Sequence, residues 1–123
     1  MPHNVIAIVD QDDNCRRDAA RMLRSALGLT VVSMADGPRA LALIERLEPG
    51  LVLADLAASD GSGASLVDRL KGQPETCSIP LAAMSDGGLE ALDSALAAGC
   101  DACIAKPFRL GDLVSFVREC LAG

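Results

Sequence analysis

Acidic side chains follow the first apolar run of the chain, in the segment IVDQDDN (residues 8–14). Asp10, Asp12 and Asp13 are carboxylates, and the neutral amide of Gln11 interrupts them. Carboxylate oxygens grouped at the end of a strand are typical ligands of a hard divalent cation such as Mg²⁺. The segment therefore predicts a metal site, and it raises the question of what an amide contributes in second place.

Residues suited to phosphate chemistry follow three later apolar runs. Asp55 ends the run LVLAD, Ser85 follows IPLAAM, and Lys106 follows ACIA. Carboxylates, a hydroxyl and an ammonium group suit a bound cation together with a phosphoryl group held by hydrogen bonds and positive charge. The sequence contains neither GxxxxGK[ST] nor GxGxxG, so no nucleotide-binding loop is predicted.

These residues need a scaffold that brings the ends of separate strands together. Short apolar runs alternate with segments of helical spacing, which predicts strands at 4–9, 29–34, 51–55, 79–84 and 102–105, each followed by a helix. This alternation indicates an α/β fold: a doubly wound, five-stranded parallel sheet with five helices on its two faces. Ligands of such sheets bind beyond the carboxyl ends of the strands, where the residues above are expected.

Capping residues predict where several helices begin. Asp12 or Asp13 is expected to cap the first helix, and Asp36 or Gly37 the second. Asp86 is expected to cap the fourth helix. A carboxylate at that position could instead supply an acid where Gln11 is neutral, or repel an incoming phosphate donor.

The composition restricts the function. Half of the 123 residues are hydrophobic, which suits a single domain over residues 1–123, and the only aromatic residues are Phe108 and Phe116. The formal net charge of −6 argues against direct binding of nucleic acid. There is no secretory signal pattern and no apolar run of membrane-spanning length, so we expect a cytoplasmic protein without membrane contact.

The cysteines indicate a reducing compartment. Their number, five, is odd, and their spacing is not that of a disulfide framework. Cys100 and Cys103 form a CxxC motif, but it leads into a predicted strand, whereas a redox pair opens a helix. A zinc site would need two further ligands. We therefore expect both thiols to be small, partly buried apolar groups.

Four motifs resemble those of a known family. IVDQDDNCRR, LVLADL, LAAMSD and CIAKPF occur in the order and at the spacing of receiver domains of two-component response regulators, the CheY-like superfamily. The resemblance covers essentially the whole chain and implies the flavodoxin-like strand order 2-1-3-4-5. A flavodoxin-like cofactor binder is disfavoured, because the strand ends are acidic and aromatic residues to stack on a flavin are nearly absent.

The resemblance implies a role for each matching residue. Asp55 would accept a phosphoryl group from a histidine kinase, a histidine phosphotransfer protein or a small acyl phosphate. Ser85 and Lys106 would hold that group, and the bond between Lys106 and Pro107 would be cis. The expected activity is at most Mg²⁺-dependent self-phosphorylation and autodephosphorylation, without turnover of an independent substrate.

The resemblance also implies a metal site, which this sequence alters. Asp10, Asp55 and the backbone carbonyl of Ala57 would hold Mg²⁺, and Gln11 occupies the position of a second acid. Its amide oxygen can coordinate but has no charge. Changes around metal ligands typically lower affinity ~10–100-fold, so we expect weak Mg²⁺ binding unless Asp12 reaches back to the ion.

Two further departures concern signalling. The loop after the third strand has Ala58-Ser59 and Ser62-Gly63 where the family usually has Met-Pro and Asp-Gly, so a more flexible loop is expected. Cys103 occupies the position of a Tyr or Phe that reports phosphorylation in the family. A signal is then expected to be a backbone shift near the fourth helix, fifth strand and fifth helix.

Two functions remain open at this stage. One is a phosphoacceptor receiver with a kinase or phosphotransfer partner and an unknown downstream protein; the other is a pseudo-receiver that binds partners without phosphorylation. No output domain is expected after the fifth helix. A monomer or a weak dimer through the fourth helix, fifth strand and fifth helix is expected, although Leu110, Leu113, Val114 and Val117 fit the core better than an interface.

Overall fold

Strands and helices alternate along the described part of the chain. The computed structural model describes residues 5–122, and its strands are β1 (Val5–Val9), β2 (Thr30–Met34), β3 (Leu51–Asp55), β4 (Leu81–Ser85) and β5 (Ala102–Ala105). Its helices are α1 (Asp13–Leu27), α2 (Pro38–Leu47), α3 (Leu66–Lys71), α4 (Gly88–Ala97) and α5 (Leu110–Ala122). Every predicted strand is present, although β4 begins after Pro80 and extends to Ser85.

All strands are parallel and lie in the order β2-β1-β3-β4-β5. This arrangement confirms the predicted doubly wound α/β fold and its strand order. Strands β1 and β3 are neighbours, with Val9 opposite Ala54, and β4 pairs with β5, with Ser85 opposite Ala105. Because parallel strands end at the same edge of a sheet, the residues that follow them converge there.

Two hydrophobic clusters cover the two faces of the sheet, and β1 contributes to both. Ile6 and Ile8 face the cluster under α1 and α5, whereas Ala7 and Val9 face the cluster under α2, α3 and α4. Burial on both faces explains why this strand is apolar throughout.

The amphipathic helix α5 buries one side against the sheet. Leu113, Val114 and Val117 are buried as predicted, whereas Leu110, in the first turn, is only half-buried. Within residues 5–122, no helix is both long and apolar enough to cross a bilayer.

The caps of α1 and α2 each select one of the two residues that the sequence offered. Asp12 is the N-cap of α1, and its Oδ1 accepts the N–H of Cys15 at 3.1 Å. Asp13 lies in the first turn of the same helix, where a carboxylate stabilises the helix dipole. Gly37 is the N-cap of α2, so Asp36 remains available for other contacts.

The capping role predicted for Asp86 is wrong. The N-cap of α4 is Gly87, which makes no side-chain hydrogen bond, and the helix begins at Gly88. Gly88 has a φ of 75°, a conformation that glycine adopts without steric cost. The chain bends at residues 86 and 87 before the helix begins, and Asp86 lies outside the cap position.

Candidate functional site

A lysine ammonium lies between two carboxylates at the carboxyl edge of the sheet. Lys106 Nζ donates to Asp10 Oδ2 at 2.6 Å and to Asp55 Oδ2 at 2.7 Å. The side chain of Asp10 is 3% exposed, that of Lys106 16% and that of Asp55 20%. These charged hydrogen bonds are stronger than those of an exposed ion pair, because little water screens the charges of these largely buried side chains.

The backbone holds each carboxylate from the other side. Asp10 follows β1, and its Oδ1 accepts the N–H of Asp12 at 3.0 Å. Asp55 ends the neighbouring strand β3, and its Oδ1 accepts the N–H of Ala57 at 2.8 Å. Because each carboxylate uses one oxygen for its own loop, the second oxygens of both are left for the ammonium group of Lys106.

Lys106 reaches this position from the end of β5. Burial by itself lowers the pKa of its ammonium group, but the hydrogen bonds to Asp10 and Asp55 outweigh this effect and raise the pKa above its usual value. Its backbone N–H donates to the carbonyl of Ser85 at 2.7 Å. The bond between Lys106 and Pro107 is cis, as the resemblance implied. The lysine is therefore positively charged at neutral pH.

Ser85 ends β4 beside the lysine and is 7% exposed. Its Oγ accepts the N–H of Gly87 at 3.1 Å. A hydroxyl that accepts one hydrogen bond can still donate its proton to another oxygen. The structure therefore brings the hydroxyl to the edge where Lys106 follows β5 and leaves it able to donate to a further oxygen.

A cavity of about 210 Å³ opens beside these groups. Its lining consists of Asp10, Gln11, Asp12, Asp55, Ala57, Ala58, Asp86 and Lys106. The predicted metal-binding residues and the lysine thus share one cavity. Asp86 was expected to cap a helix, but it adds an exposed carboxylate to the wall of this cavity.

Gln11 lines the cavity, but its amide nitrogen is bound elsewhere. Nε2 of Gln11 donates to Asp36 Oδ2 at 2.8 Å. The same oxygen of Asp36 accepts the N–H of Ser59 at 3.3 Å. Sequence reasoning missed this contact, because the two side chains are 25 residues apart and Asp36 was considered only as a helix cap.

The donor set fits a cation that retains several water ligands. Among residues 5–122, no three or more His, Cys, Asp and Glu side chains are grouped to hold a metal ion. Asp12 caps α1, Gln11 is neutral and Asp86 is exposed on the cavity wall, which leaves Asp10 and Asp55 as the buried and half-buried carboxylates. Mg²⁺ is commonly held by one or two carboxylates with water, so this pair fits the ion, together with neutral oxygens such as those of Gln11 and Ala57.

Local hydrogen bonds hold the loop after Asp55, although Ser59 stands where the family usually has a proline. Asp60 Oδ1 accepts the N–H and the hydroxyl of Ser62 at 2.8 and 2.7 Å. These bonds, together with the positive charge of Arg69, lower the pKa of Asp60. Ser59 also forms an antiparallel bridge with Ser65. The structure thus shows a folded loop, and the greater flexibility expected from the sequence stays a prediction.

The CxxC motif lacks the features of a redox site. Cys100 and Cys103 are free thiols, and Cys103 lies within β5. Burial raises the pKa of Cys100 to about 11 and also raises that of Cys103, which disfavours a reactive thiolate. The thiol of Cys103 approaches the carbonyl of Leu92 at 3.7 Å, so it packs between β5 and α4. A small thiol therefore occupies the position where the family has its reporting aromatic ring.

Comparison with known proteins agrees with the geometry. The family model of the response regulator receiver domain matches residues 6–118. A probable transcriptional regulator, ycf27 of Porphyridium aerugineum, is 31% identical over 98% of this chain, which spans about half (49%) of that relative. An uncharacterized 14.6 kDa protein in the sodA1 3'region of Leptolyngbya boryana is 30% identical, and the match covers 95% of this chain and 90% of that protein. A response regulator from Desulfuromonas acetoxidans, 24% identical, has the same fold, with a TM-score of 0.85 over 96% of both chains.

Proposed function

The chain belongs to the response regulator receiver domain family, and we propose that it is a two-component receiver whose Asp55 accepts a phosphoryl group. The observation that carries this proposal is the lysine bridge, in which Lys106 donates to Asp10 and Asp55 at 2.6 and 2.7 Å. Phosphoryl transfer requires positioning and charge neutralisation more than covalent help from the protein. The bridge supplies a fixed carboxylate and a fixed cation.

Of the two carboxylates, Asp55 is the more accessible acceptor. Its side chain is 20% exposed, whereas that of Asp10 is 3% exposed, so a donor can approach Asp55. An oxygen of Asp55 forms a bond to phosphorus while the bond from phosphorus to the donor's imidazole nitrogen or acyl oxygen breaks. Lys106 neutralises the charge on the phosphoryl oxygens, and the O–H of Ser85 donates to one of them.

Asp10 and Asp55 would hold Mg²⁺, with neutral oxygens from the Ala57 carbonyl and the Gln11 amide. When bound there, the ion would supply positive charge to the phosphoryl oxygens. Each acid that is replaced by an amide removes one negative charge from the ligand set. We therefore propose that Gln11 makes this site weaker than one with a second acid at the same position.

The donor in this proposal is a histidine kinase or a histidine phosphotransfer protein, and the output is a downstream protein. Residues 1–123 act as one receiver domain, with self-phosphorylation and autodephosphorylation as the only chemistry. The five free cysteines suit the reducing cytoplasm. We propose a monomer or a weak dimer through α4, β5 and α5. Leu89 and Leu96 on α4 are 79% and 52% exposed, and these exposed apolar side chains favour the dimer.

Acetyl phosphate with Mg²⁺ tests the acceptor role directly. Intact mass should show one added phosphoryl group on the wild-type protein and none on Asp55→Asn. Asp68→Asn changes an exposed carboxylate on α3 and should behave as wild type. If the wild-type protein is not modified at any Mg²⁺ concentration, and beryllofluoride shifts no NMR resonance, the acceptor role is wrong. The fold would then serve partner binding without phosphorylation.

A further inference from the structure

One end of the Gln11 amide is committed to Asp36. Nε2 of Gln11 donates to Asp36 Oδ2 at 2.8 Å. A carboxylate only accepts hydrogen bonds, so the NH₂ end of the amide must be the end that faces Asp36. The amide oxygen is bonded to the same carbon as this nitrogen and points to its other side. Asp36 therefore determines that the oxygen is the atom left for other groups.

The other end of the Gln11 amide is a carbonyl oxygen, which suits a cation in the cavity. Gln11 lines the same cavity of about 210 Å³ as the carboxylates of Asp10 and Asp55. Neutral carbonyl oxygens are ligands that hard divalent cations accept alongside carboxylates. An amide at this position therefore retains one useful atom, provided that its orientation is maintained.

Asp36 is held in place by the loop after β3. Its Oδ2 accepts the N–H of Ser59 at 3.3 Å in addition to the amide of Gln11. The N–H of Gly37 donates to the carbonyl of Ser59 at 2.8 Å, which joins the same two loops a second time. Asp36 is half-buried between these loops. Its carboxylate is therefore a fixed acceptor, and the amide that it binds is oriented by the fold.

We propose that Asp36 is a positioning residue that orients Gln11, so that Oε1 of the amide serves as a ligand for a divalent cation in this cavity. The inference rests on the proposed function, since it assigns a role within the same cation site. Partners that orient a metal ligand typically contribute about 10–100-fold to metal affinity. The carboxylate of Asp36 thus partly compensates for the acid that this chain lacks at position 11.

Mg²⁺ titrations of the full chain, followed by ¹H–¹⁵N NMR, test the role of Asp36. Gln11→Ala and Asp36→Ala should each weaken Mg²⁺ binding about tenfold. The double variant should bind no more weakly than either single variant, because both remove the same ligand. Asp36→Asn is the matched control: it removes the charge but keeps an oxygen that can accept from Gln11, so it should bind more tightly than Asp36→Ala.

Two results would overturn this role. The first is that Asp36→Asn and Asp36→Ala weaken Mg²⁺ binding equally, and that they do so even when Gln11 is already replaced by alanine. Asp36 would then act only through its charge near the cation. The second is that Gln11→Ala binds Mg²⁺ as the wild type does, in which case the amide is not a ligand. The amide resonance of Ser62, whose N–H donates to Asp60 and not to Asp36, reports in the same spectra whether the loop is intact. Should Asp36→Ala disturb the fold, Asp36→Ser, whose hydroxyl is too short to reach Gln11, replaces it with the same expected weakening.

The phosphorylation assay distinguishes this inference from the proposed function. If Asp55 is phosphorylated but Gln11→Ala leaves the Mg²⁺ affinity unchanged, the role of Asp36 and Gln11 is overturned and the proposed function stands. If Asp36→Ala binds Mg²⁺ more weakly but acetyl phosphate does not modify the wild-type protein, the proposed function is overturned and the role of Asp36 stands.

Discussion

At the scale of single residues, one ammonium group balances two carboxylates. Asp10 and Asp55 come from neighbouring strands, and their second oxygens both accept from Lys106 at 2.6–2.7 Å. Two carboxylates held so close would repel each other strongly without a cation between them. Lys106 therefore has a structural role in addition to the one proposed for it in phosphoryl transfer.

Replacement of Lys106 by methionine, which is similar in length but uncharged, should destabilise the domain near neutral pH. We expect a loss of about 1–3 kcal/mol, less than for a fully buried pair, because the side chains are partly exposed. The raised pKa of Lys106 means that its contribution is complete below pH 10.5 and is lost only as the pH rises through the raised value. Urea unfolding near neutral pH measures the loss.

A second substitution provides the control for this variant. Asp10→Asn removes one of the two carboxylates that Lys106 separates, so the loss caused by Lys106→Met should be smaller in the Asp10→Asn background than in the wild type. An equal loss in both backgrounds would mean that the lost stability comes from packing of the lysine side chain and not from its charge.

At the scale of elements, the β3–α3 loop (residues 56–65) is shaped by contact with the start of α2. The N–H of Gly37 donates to the carbonyl of Ser59 at 2.8 Å. Gly61 lies so close to the ring of Pro38 that a Cβ atom at this position would overlap it. The loop that carries Ala57 and Ala58 therefore depends on α2 for its position as well as on its own hydrogen bonds.

Gly61→Ala and Gly63→Ala form a matched pair that tests this contact. Both glycines have positive φ, +97° and +98°, but only Gly61 has a neighbour within 4 Å of its added Cβ. Gly63→Ala should lose about 1–2 kcal/mol from backbone strain alone. Gly61→Ala should lose clearly more, because Pro38 or the loop must move. Equal losses in thermal or urea unfolding would contradict a tight contact between loop and helix.

At the scale of the whole molecule, two hydrophobic clusters share one sheet. Ile44 of α2 lies in the cluster on one face, and Leu113 of α5 in the cluster on the other. Each strand at the centre contributes side chains to both clusters, so neither face can lose its packing without disturbing the sheet. We therefore expect the domain to unfold as one cooperative unit.

Ile44→Ala and Leu113→Ala test this cooperativity. Both side chains are fully buried, so each variant should lose about 2–5 kcal/mol. The losses should add in the double variant, because the two sites lie on opposite faces. Leu89→Ala, at a residue that is 79% exposed, is the control and should stay within about 0.5 kcal/mol of wild type. Separate transitions by circular dichroism and NMR would contradict a single unit.

The sequence by itself predicted the alternating elements, the parallel sheet, a cap at Asp12 or Asp13 and the edge where Asp55 and Lys106 meet. These features depend on interactions within a few residues or on the periodicity of apolar side chains, which remain visible without coordinates. The strand order and the cis bond before Pro107 came from family resemblance, which the structure agrees with.

Only the tertiary structure showed that Gln11 binds Asp36 and that Asp86 faces the cavity without capping α4. Both outcomes depend on the paths of loops. The contact between Gln11 and Asp36 spans 25 residues, and the place of Asp86 follows from the bend that precedes the cap at Gly87. Local patterns determine which residues reach the edge of the sheet. Which of them touch there is determined by how the loops pack against each other, and no spacing in the sequence records that geometry.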